Sequence, residues 1–167
     1  MFYITKDLNM NKYMETAIKL SQKNLKTHEG GPFGAVVVKN GKIIGRSANC
    51  VIKNNDPTAH AEIMAIRAAC AKIKSYDLSD CELYTSCYPC PMCLAAIIWA
   101  NIKTVYYGNT KKDAANIGFR DDFIYEYITA LASGKQNTKV LKLKSLNRKE
   151  AIKAFGKFKN QKNKTIY

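Results

Sequence analysis

The spacing of apolar and polar positions predicts an alternation of helices and strands. An apolar stripe with helical period over 11–26 predicts a first helix. The valine-rich run 33–39 and the run 42–51, joined by Asn40-Gly41, predict two antiparallel strands, because Asn-Gly favours the two-residue hairpin turn. Gly30-Gly31-Pro32 separates this hairpin from the helix, since glycine and proline interrupt regular structure.

The remaining pattern continues the alternation. It predicts three more strands: 81–85, a strand at 102–107 buried on both faces, and an edge strand near 140–143. It also predicts further helices: 59–74, 91–100, two stretches around 113 and 124, and 148–159. This order predicts an α/β fold in which helices cover both faces of a mixed sheet.

Length and composition place the chain among ordinary globular proteins. Its 167 residues are 47% hydrophobic and 24% charged, which predicts a single domain over 1–167 and excludes disorder as its main state. No apolar run reaches the roughly 18 residues of a membrane span. The start of the chain has no basic stretch followed by a long apolar one, so we expect no secretory signal, no membrane association and a cytoplasmic protein.

The charge is strongly positive and uneven. The chain has 27 Lys and Arg against 13 Asp and Glu, a formal net charge of +14. Most of the excess lies in residues 135–167, where Glu150 is the only acidic residue among the lysines and Arg148. This excess favours an acidic partner such as nucleic acid. However, lysine dominates over arginine, so we favour a bias in composition with no functional meaning as the explanation of the excess.

Two short motifs carry candidate chemistry: His60-Ala61-Glu62 and Pro89-Cys90-Pro91-Met92-Cys93. One imidazole and two thiolates suit zinc, which binds nitrogen and sulfur in tetrahedral sites. Cys90 and Cys93 are spaced to share a face at the start of a helix, where the helix dipole favours the thiolate. We therefore expect His60, Cys90 and Cys93 to hold one zinc ion.

Three protein ligands leave a fourth position for water, which is typical of a catalytic zinc site. Zinc lowers the pKa of such a water to about 7. Glu62, two residues from His60, is then expected to move a proton from the water to the substrate. These two motifs, in this order, form the signature of the zinc deaminases, and they predict a zinc-dependent hydrolase.

Other interpretations of the cysteines stay open at this point. Cys90 and Cys93 could form a redox pair, and Cys87, Cys90 and Cys93 resemble the start of an iron–sulfur motif that lacks its fourth cysteine. A zinc-stabilised nucleic-acid-binding module would need a fourth protein ligand. Cys87 is the candidate for that ligand, and Glu62 would then have no role.

Beyond the zinc motifs, the sequence resembles the cytidine deaminase-like superfamily and, within it, the bacterial-type guanine deaminases. The resemblance runs from about residue 11 to the end and is carried by these segments: Gly30–Val36, Asn55–Glu62, Tyr84–Cys87, Pro89–Cys93, Ile98–Ala100, Gly118-Phe119, Asp121 and Phe123–Tyr125. It implies a three-layer α/β sandwich with a five-stranded mixed sheet. It also implies a homodimer in which the C-terminal helix and tail, about 147–167, are exchanged and cover the partner's active site. Residues 1–9 are expected to be disordered.

The resemblance also implies roles for individual residues. Asn49 matches the position that contacts the purine ring, and Asp121 matches the carboxylate that binds the guanine edge and assists proton transfer. Phe33 and Trp99 match apolar walls of the base pocket, and Tyr167 matches the terminal aromatic residue that closes it. Tyr88 departs from the family, which usually has an acid before Pro89, and an acid there would change the electric field near the zinc and the pocket.

The activity implied is zinc-dependent deamination of the purine guanine to xanthine and ammonia. Deamination of a tRNA adenosine is the alternative, and the basic C-terminal segment favours it. Another small amino-heterocycle, such as cytosine or an aminotriazine, is a third possibility.

Overall fold

The computed structural model describes residues 10–166. The predictions for residues 1–9 and for Tyr167 lie outside the described residues. The elements follow in this order: α1 (Lys12–Thr27), β1 (Gly34–Lys39), β2 (Lys42–Ala48), α2 (Val51–Asn54), α3 (Ala61–Ile73), β3 (Cys81–Cys87), α4 (Pro91–Trp99), β4 (Thr104–Asn109), α5 (Lys111–Asn116), α6 (Asp122–Ala132) and α7 (Arg148–Lys159). The α/β alternation is confirmed, and α7 spans the predicted range.

The hairpin forms where the sequence predicts it. Asn40 and Gly41 both adopt left-handed backbone angles, with φ of 48° and 73°, as the favoured two-residue turn requires. β2 ends at Ala48, earlier than predicted, because the chain turns there into the short helix α2. The hairpin therefore delivers Asn49 to the end of a strand.

Within the described residues the sheet has four strands, in the order β2-β1-β3-β4. β1 is antiparallel to both β2 and β3, whereas β3 and β4 are parallel. The predicted fifth strand at 140–143 is wrong. The backbone N–H groups of Val140 and Leu141 donate to the carbonyl of Asn137, so a local turn takes the donors that a strand ladder would need.

β4 is one of the two outer strands of the sheet, and its side chains are mostly exposed. The prediction of a strand buried on both faces is wrong here. Tyr106 and Tyr107 are each almost half exposed. Hydrophobic residue types alone did not reveal that this strand has a neighbour on one side only.

Strand alternation distributes the core over the two faces of the sheet. Val36, Val38 and Tyr84 form a cluster with Tyr13 and other side chains of α1. The intervening positions point to the opposite face, where they pack with side chains of α3 and α4: Ala35, Val37 and Leu83. The sheet therefore has helices on both faces, as predicted.

The chain forms two compact units, one up to Asp121 and one from Asp122 onward. In the second unit Tyr127 is the buried residue among those described, and its hydroxyl donates to the Leu141 carbonyl at 3.3 Å. The single-domain prediction stays a prediction. Among the helices of residues 10–166, none combines the length and the apolar character needed to cross a membrane.

Candidate active site

The candidate residues lie along one edge of the sheet, the edge that is formed by the ends of its strands. Because β3 and β4 are parallel, both end at this edge, where Cys87 is paired with Asn109. β1 begins there and β2 ends there, since these strands are antiparallel and Gly34 is paired with Ala48. Phe33, Asn49 and the loop after Cys87 therefore meet at the edge, although they are far apart in sequence.

Two helices begin at this edge and present the candidate metal ligands. His60 is the N-cap of α3 and Cys90 the N-cap of α4; both have an extended backbone, and neither side chain caps its own helix. Cys93 follows in the first turn of α4. His60 Nδ1 lies 3.5 Å from Cys90 Sγ and 3.6 Å from Cys93 Sγ. His60, Cys90 and Cys93, which the two motifs singled out, thus converge from the starts of two helices.

The cluster fits zinc in both donor type and spacing. Its three donor atoms lie within 4.8 Å of one another. Tetrahedral zinc bonds of about 2.0–2.3 Å separate neighbouring donors by roughly 3.5 Å, close to the spacing found here. The thiol of Cys87 instead donates to the Thr110 carbonyl at 3.7 Å and lies outside the group. Among the described residues, the group therefore has three members, and its donors suit zinc.

The electrostatics of the cluster favour a thiolate. Hydrogen bonds from the Cys93 thiol, from His60 and from the Cys93 backbone N–H lower the pKa of Cys90 to about 4, against the effect of burial. Its hydrogen bond to Cys90 and its burial raise the pKa of Cys93. The pKa of His60 is also raised, chiefly by its hydrogen bond to Cys90. These directions favour the thiolate form of Cys90, which is the form in which a cysteine binds metal.

Glu62 lies beside the metal ligands with both carboxylate oxygens engaged. It is 5% exposed, and its Oε1 accepts a hydrogen bond from Thr85 Oγ1 at 2.9 Å. Its Oε2 lies 3.5 Å from Cys93 Sγ. Burial raises the pKa of Glu62 above its usual range. A carboxyl group of raised pKa beside a metal site is suited to accept and return a proton near neutral pH.

Asn49 and Phe33 lie next to each other at the sheet edge, where the Asn49 N–H donates to the Phe33 carbonyl at 2.9 Å. Asn49 is buried, and its Oδ1 accepts a hydrogen bond from the Val51 N–H at 3.1 Å. This bond orients the amide, whose N–H groups can donate to the edge of a base.

Phe33 has an aromatic partner that the motif analysis gave no role. The ring of Phe119 meets it edge-on, with centroids 4.9 Å apart. Asp121 follows two residues later, and its negative charge helps to raise the pKa of both His60 and Cys87. The carboxylate is therefore close enough to the ligand cluster for its field to act there.

One predicted substrate residue, Trp99, is not brought to this cluster. Trp99 is the last residue of α4, about 13 Å along the helix from Cys90, and it is 67% exposed. The structure places it away from the ligands of its own chain. Tyr167 lies outside the described residues.

Tyr88, the residue that departs from the family, packs edge-on against Tyr107 with ring centroids 5.0 Å apart. Lys111 Nζ lies 4.7 Å from the centre of the Tyr88 ring.

The sequence analysis gave no individual role to three residues: Thr85, Phe119 and Asn24. Thr85 is a polar residue in a strand that is buried almost throughout, and this was the available signal. Asn24 is the one polar residue of α1 that is buried. Phe119 stood in one of the segments that carried the resemblance, but nothing in the local pattern indicated its own role.

Comparison with known proteins identifies relatives of this chain. Residues 8–109 match the family described as the cytidine and deoxycytidylate deaminase zinc-binding region. The guanine deaminase of Bacillus subtilis is 51% identical over 121 residues, which cover 72% of this chain and 78% of that protein. A tRNA-specific adenosine deaminase of Buchnera aphidicola is 39% identical over 127 residues, covering 76% of this chain and 79% of that protein.

The fold has a similar counterpart among solved structures. The X-ray structure of the Bacillus subtilis guanine deaminase superposes with a TM-score of 0.86 and 43% identity, covering 95% of this chain and 99% of that chain. The likeness thus extends beyond the zinc-binding region into the C-terminal part of the chain.

Proposed function

We propose that this chain, which belongs to the family defined by the cytidine and deoxycytidylate deaminase zinc-binding region, deaminates guanine to xanthine and ammonia. The observation that carries the proposal is the convergence of His60, Cys90 and Cys93 beside the buried carboxylate of Glu62. The 51% identity to a guanine deaminase, against 39% to a tRNA adenosine deaminase, supports guanine over adenosine.

Each residue of the site has a part in the proposed reaction. Zinc held by His60, Cys90 and Cys93 supplies the Lewis acidity that lowers the pKa of a water to about 7. Glu62 carries one proton of the attacking water to the ring nitrogen N3, and it then carries the remaining hydroxyl proton to the departing amine. The new carbon–oxygen bond forms at C2 of guanine, the bond from C2 to the exocyclic nitrogen breaks, and ammonia leaves. Thr85 holds one carboxylate oxygen of Glu62 while the proton moves.

The substrate lies between the sheet edge and the segment after α5 in this proposal. Asn49 donates to the purine ring, and its Oδ1 is held by the Val51 N–H. Asp121 accepts hydrogen bonds from the ring N–H and the exocyclic amine and assists proton transfer. The edge-on pair of Phe33 and Phe119 provides an apolar wall for the flat base.

We further propose a homodimer in which the C-terminal helix and tail, about 147–167, cover the partner's active site, with Tyr167 closing the pocket. The exposure of large apolar side chains along this part of the chain supports the exchange: Leu146, Ile152, Phe155, Phe158 and Ile166. Burial of such residues against a second copy would remove apolar surface from water. Trp99, exposed on α4, would take part in the pocket through the same assembly.

The function is tested by ammonia release from a panel of guanine, guanosine, cytosine, adenine and a tRNA anticodon stem-loop. Guanine is expected to be the preferred substrate. Preference for the stem-loop would instead assign the chain to the tRNA deaminases, and the excess of lysine in residues 135–167 would then be its RNA contact. Release of ammonia from cytosine alone would overturn both assignments.

The exchange of the C-terminal segment is tested by complementation. A chain that ends before Tyr167 lacks the closing residue, and a full-length Glu62→Gln chain lacks the proton carrier; each alone should be nearly inactive. If the tail acts on the partner, mixing the two and allowing subunits to exchange should restore part of the activity. No recovery from a mixture shown by mass to contain heterodimers would exclude a tail that acts in trans.

A further inference from the structure

A single buried amide joins the two segments that carry the proposed substrate contacts. Asn24 lies in the last part of α1 and is 2% exposed. Its Nδ2 donates to the Asn49 carbonyl at 2.7 Å and to the Gly31 carbonyl at 2.9 Å. Its Oδ1 accepts from Thr27 Oγ1 at 3.3 Å. A buried amide whose two N–H groups both donate to other segments is a cross-link between those segments.

The Gly31 end of this cross-link supports the aromatic wall. A Cβ atom placed on Gly31 would lie 2.8 Å from the rings of both Phe33 and Phe119, so the backbone of this loop packs directly against the pair. The Gly31 carbonyl also accepts a hydrogen bond from the Phe33 N–H at 2.8 Å. A shift of Gly31 would therefore move the aromatic wall.

The Asn49 end of the cross-link supports the amide contact. The loop also touches Asn49, because a Cβ atom on Gly30 would lie 2.2 Å from Asn49 Oδ1. A residue larger than glycine cannot stand at this position without displacing the amide. Asn24, Gly30 and Gly31 thus set the distance between the Asn49 amide and the rings of Phe33 and Phe119.

We propose that Asn24 is a positioning residue for the substrate pocket: it fixes the gap between the Asn49 amide and the Phe33–Phe119 pair, and thereby sets the affinity for the base. This inference rests on the proposed function for the identity of the base. Asn24 touches neither the zinc ligands nor Glu62 among its described hydrogen bonds, so its influence falls on binding of the base rather than on proton transfer.

The test is Asn24→Asp, which keeps the shape of the side chain but replaces both donors with an oxygen that faces two carbonyl oxygens. The KM for guanine is expected to rise about tenfold or more, as for loss of a buried hydrogen-bond donor, while kcat changes less than about threefold. Zinc content should equal that of the wild type. Thr27→Val is the matched control, because it removes the bond to Oδ1 and leaves both Nδ2 bonds in place; it should leave KM unchanged.

Hydrogen exchange provides a readout that needs no turnover. In Asn24→Asp, amides of residues 28–33 and 47–51 should exchange faster, whereas those of α3 and α4 should keep wild-type rates. If Asn24→Asp does not fold, Asn24→Ser keeps one donor without adding charge and should give an intermediate rise in KM.

The two hypotheses fail differently. A wild-type protein that releases no ammonia from guanine overturns the proposed function. A wild type active on guanine, together with a folded Asn24→Asp variant whose KM stays within twofold, overturns only the role of Asn24. Unchanged exchange in the two loops overturns that role whatever the substrate is.

Discussion

Thr85 Oγ1 donates a 2.9 Å hydrogen bond to Glu62 Oε1, which joins β3 to the first turn of α3 within the candidate site. Both residues are buried, so water cannot replace this bond at low cost. The bond leaves Oε2 facing Cys93, on the side of the metal ligands. The orientation of the proton carrier therefore depends on a hydroxyl group from a neighbouring strand.

Thr85→Val should lower kcat for guanine by about 5- to 150-fold, the range expected when a buried acceptor loses a partner worth about 1–3 kcal/mol. Valine preserves the volume and branching of threonine, so packing should change little. Thr85→Ser keeps the hydroxyl and should stay within about threefold of the wild type. If serine and valine reduce kcat equally, the hydroxyl does not orient Glu62. Zinc content should be normal in both variants.

Glu62→Gln should keep zinc and the fold but lose turnover by about 10²–10⁴-fold, since an amide cannot carry the proton. Metal analysis and circular dichroism check the first expectation, and steady-state ammonia release checks the second. Activity within tenfold of the wild type would place proton transfer on another group.

Zinc binding should depend on both cysteines of the cluster. Elemental analysis of protein purified without added metal should find about one zinc per chain, and the double variant Cys90→Ala, Cys93→Ala should lose it. Cys87→Ala is the matched control, because the Cys87 thiol donates to the Thr110 carbonyl and lies outside the cluster. Loss of zinc from the Cys87 variant, or full zinc in the double variant, would contradict the assigned ligands.

Asp121→Asn should reduce guanine turnover by tenfold or more, because the buried edge of the base would lose a charged acceptor. Loss of an uncharged partner costs a buried polar group about 1–3 kcal/mol, and loss of a charged partner costs more. Asp122→Asn tests the neighbouring carboxylate and should have little effect. Assays of guanine and a tRNA stem-loop side by side distinguish the two activities. Full guanine activity in Asp121→Asn would remove the proposed contact with the guanine edge.

Local patterns in the sequence predicted the parts of the fold that depend on neighbouring residues. The hairpin at Asn40-Gly41 needs only two residues that tolerate left-handed angles, and α7 needs only its own helical period. His60 and Cys90 were identifiable because each stands in a short motif at a helix start. The donor types of such motifs indicate zinc before any fold is known.

Tertiary structure decided whatever depends on partners distant in sequence. The segment 140–143 is rich in apolar residues and was predicted as a strand, but a turn at Asn137 takes its backbone donors. β4 has the composition of a buried strand, but it is an outer strand with a neighbour on one side only. Thr85 acquires its role by meeting Glu62 across two elements, and Asn24 by reaching two loops at once. Periodicity records which face a side chain occupies, whereas the identity of its partner depends on how strands and helices pack together.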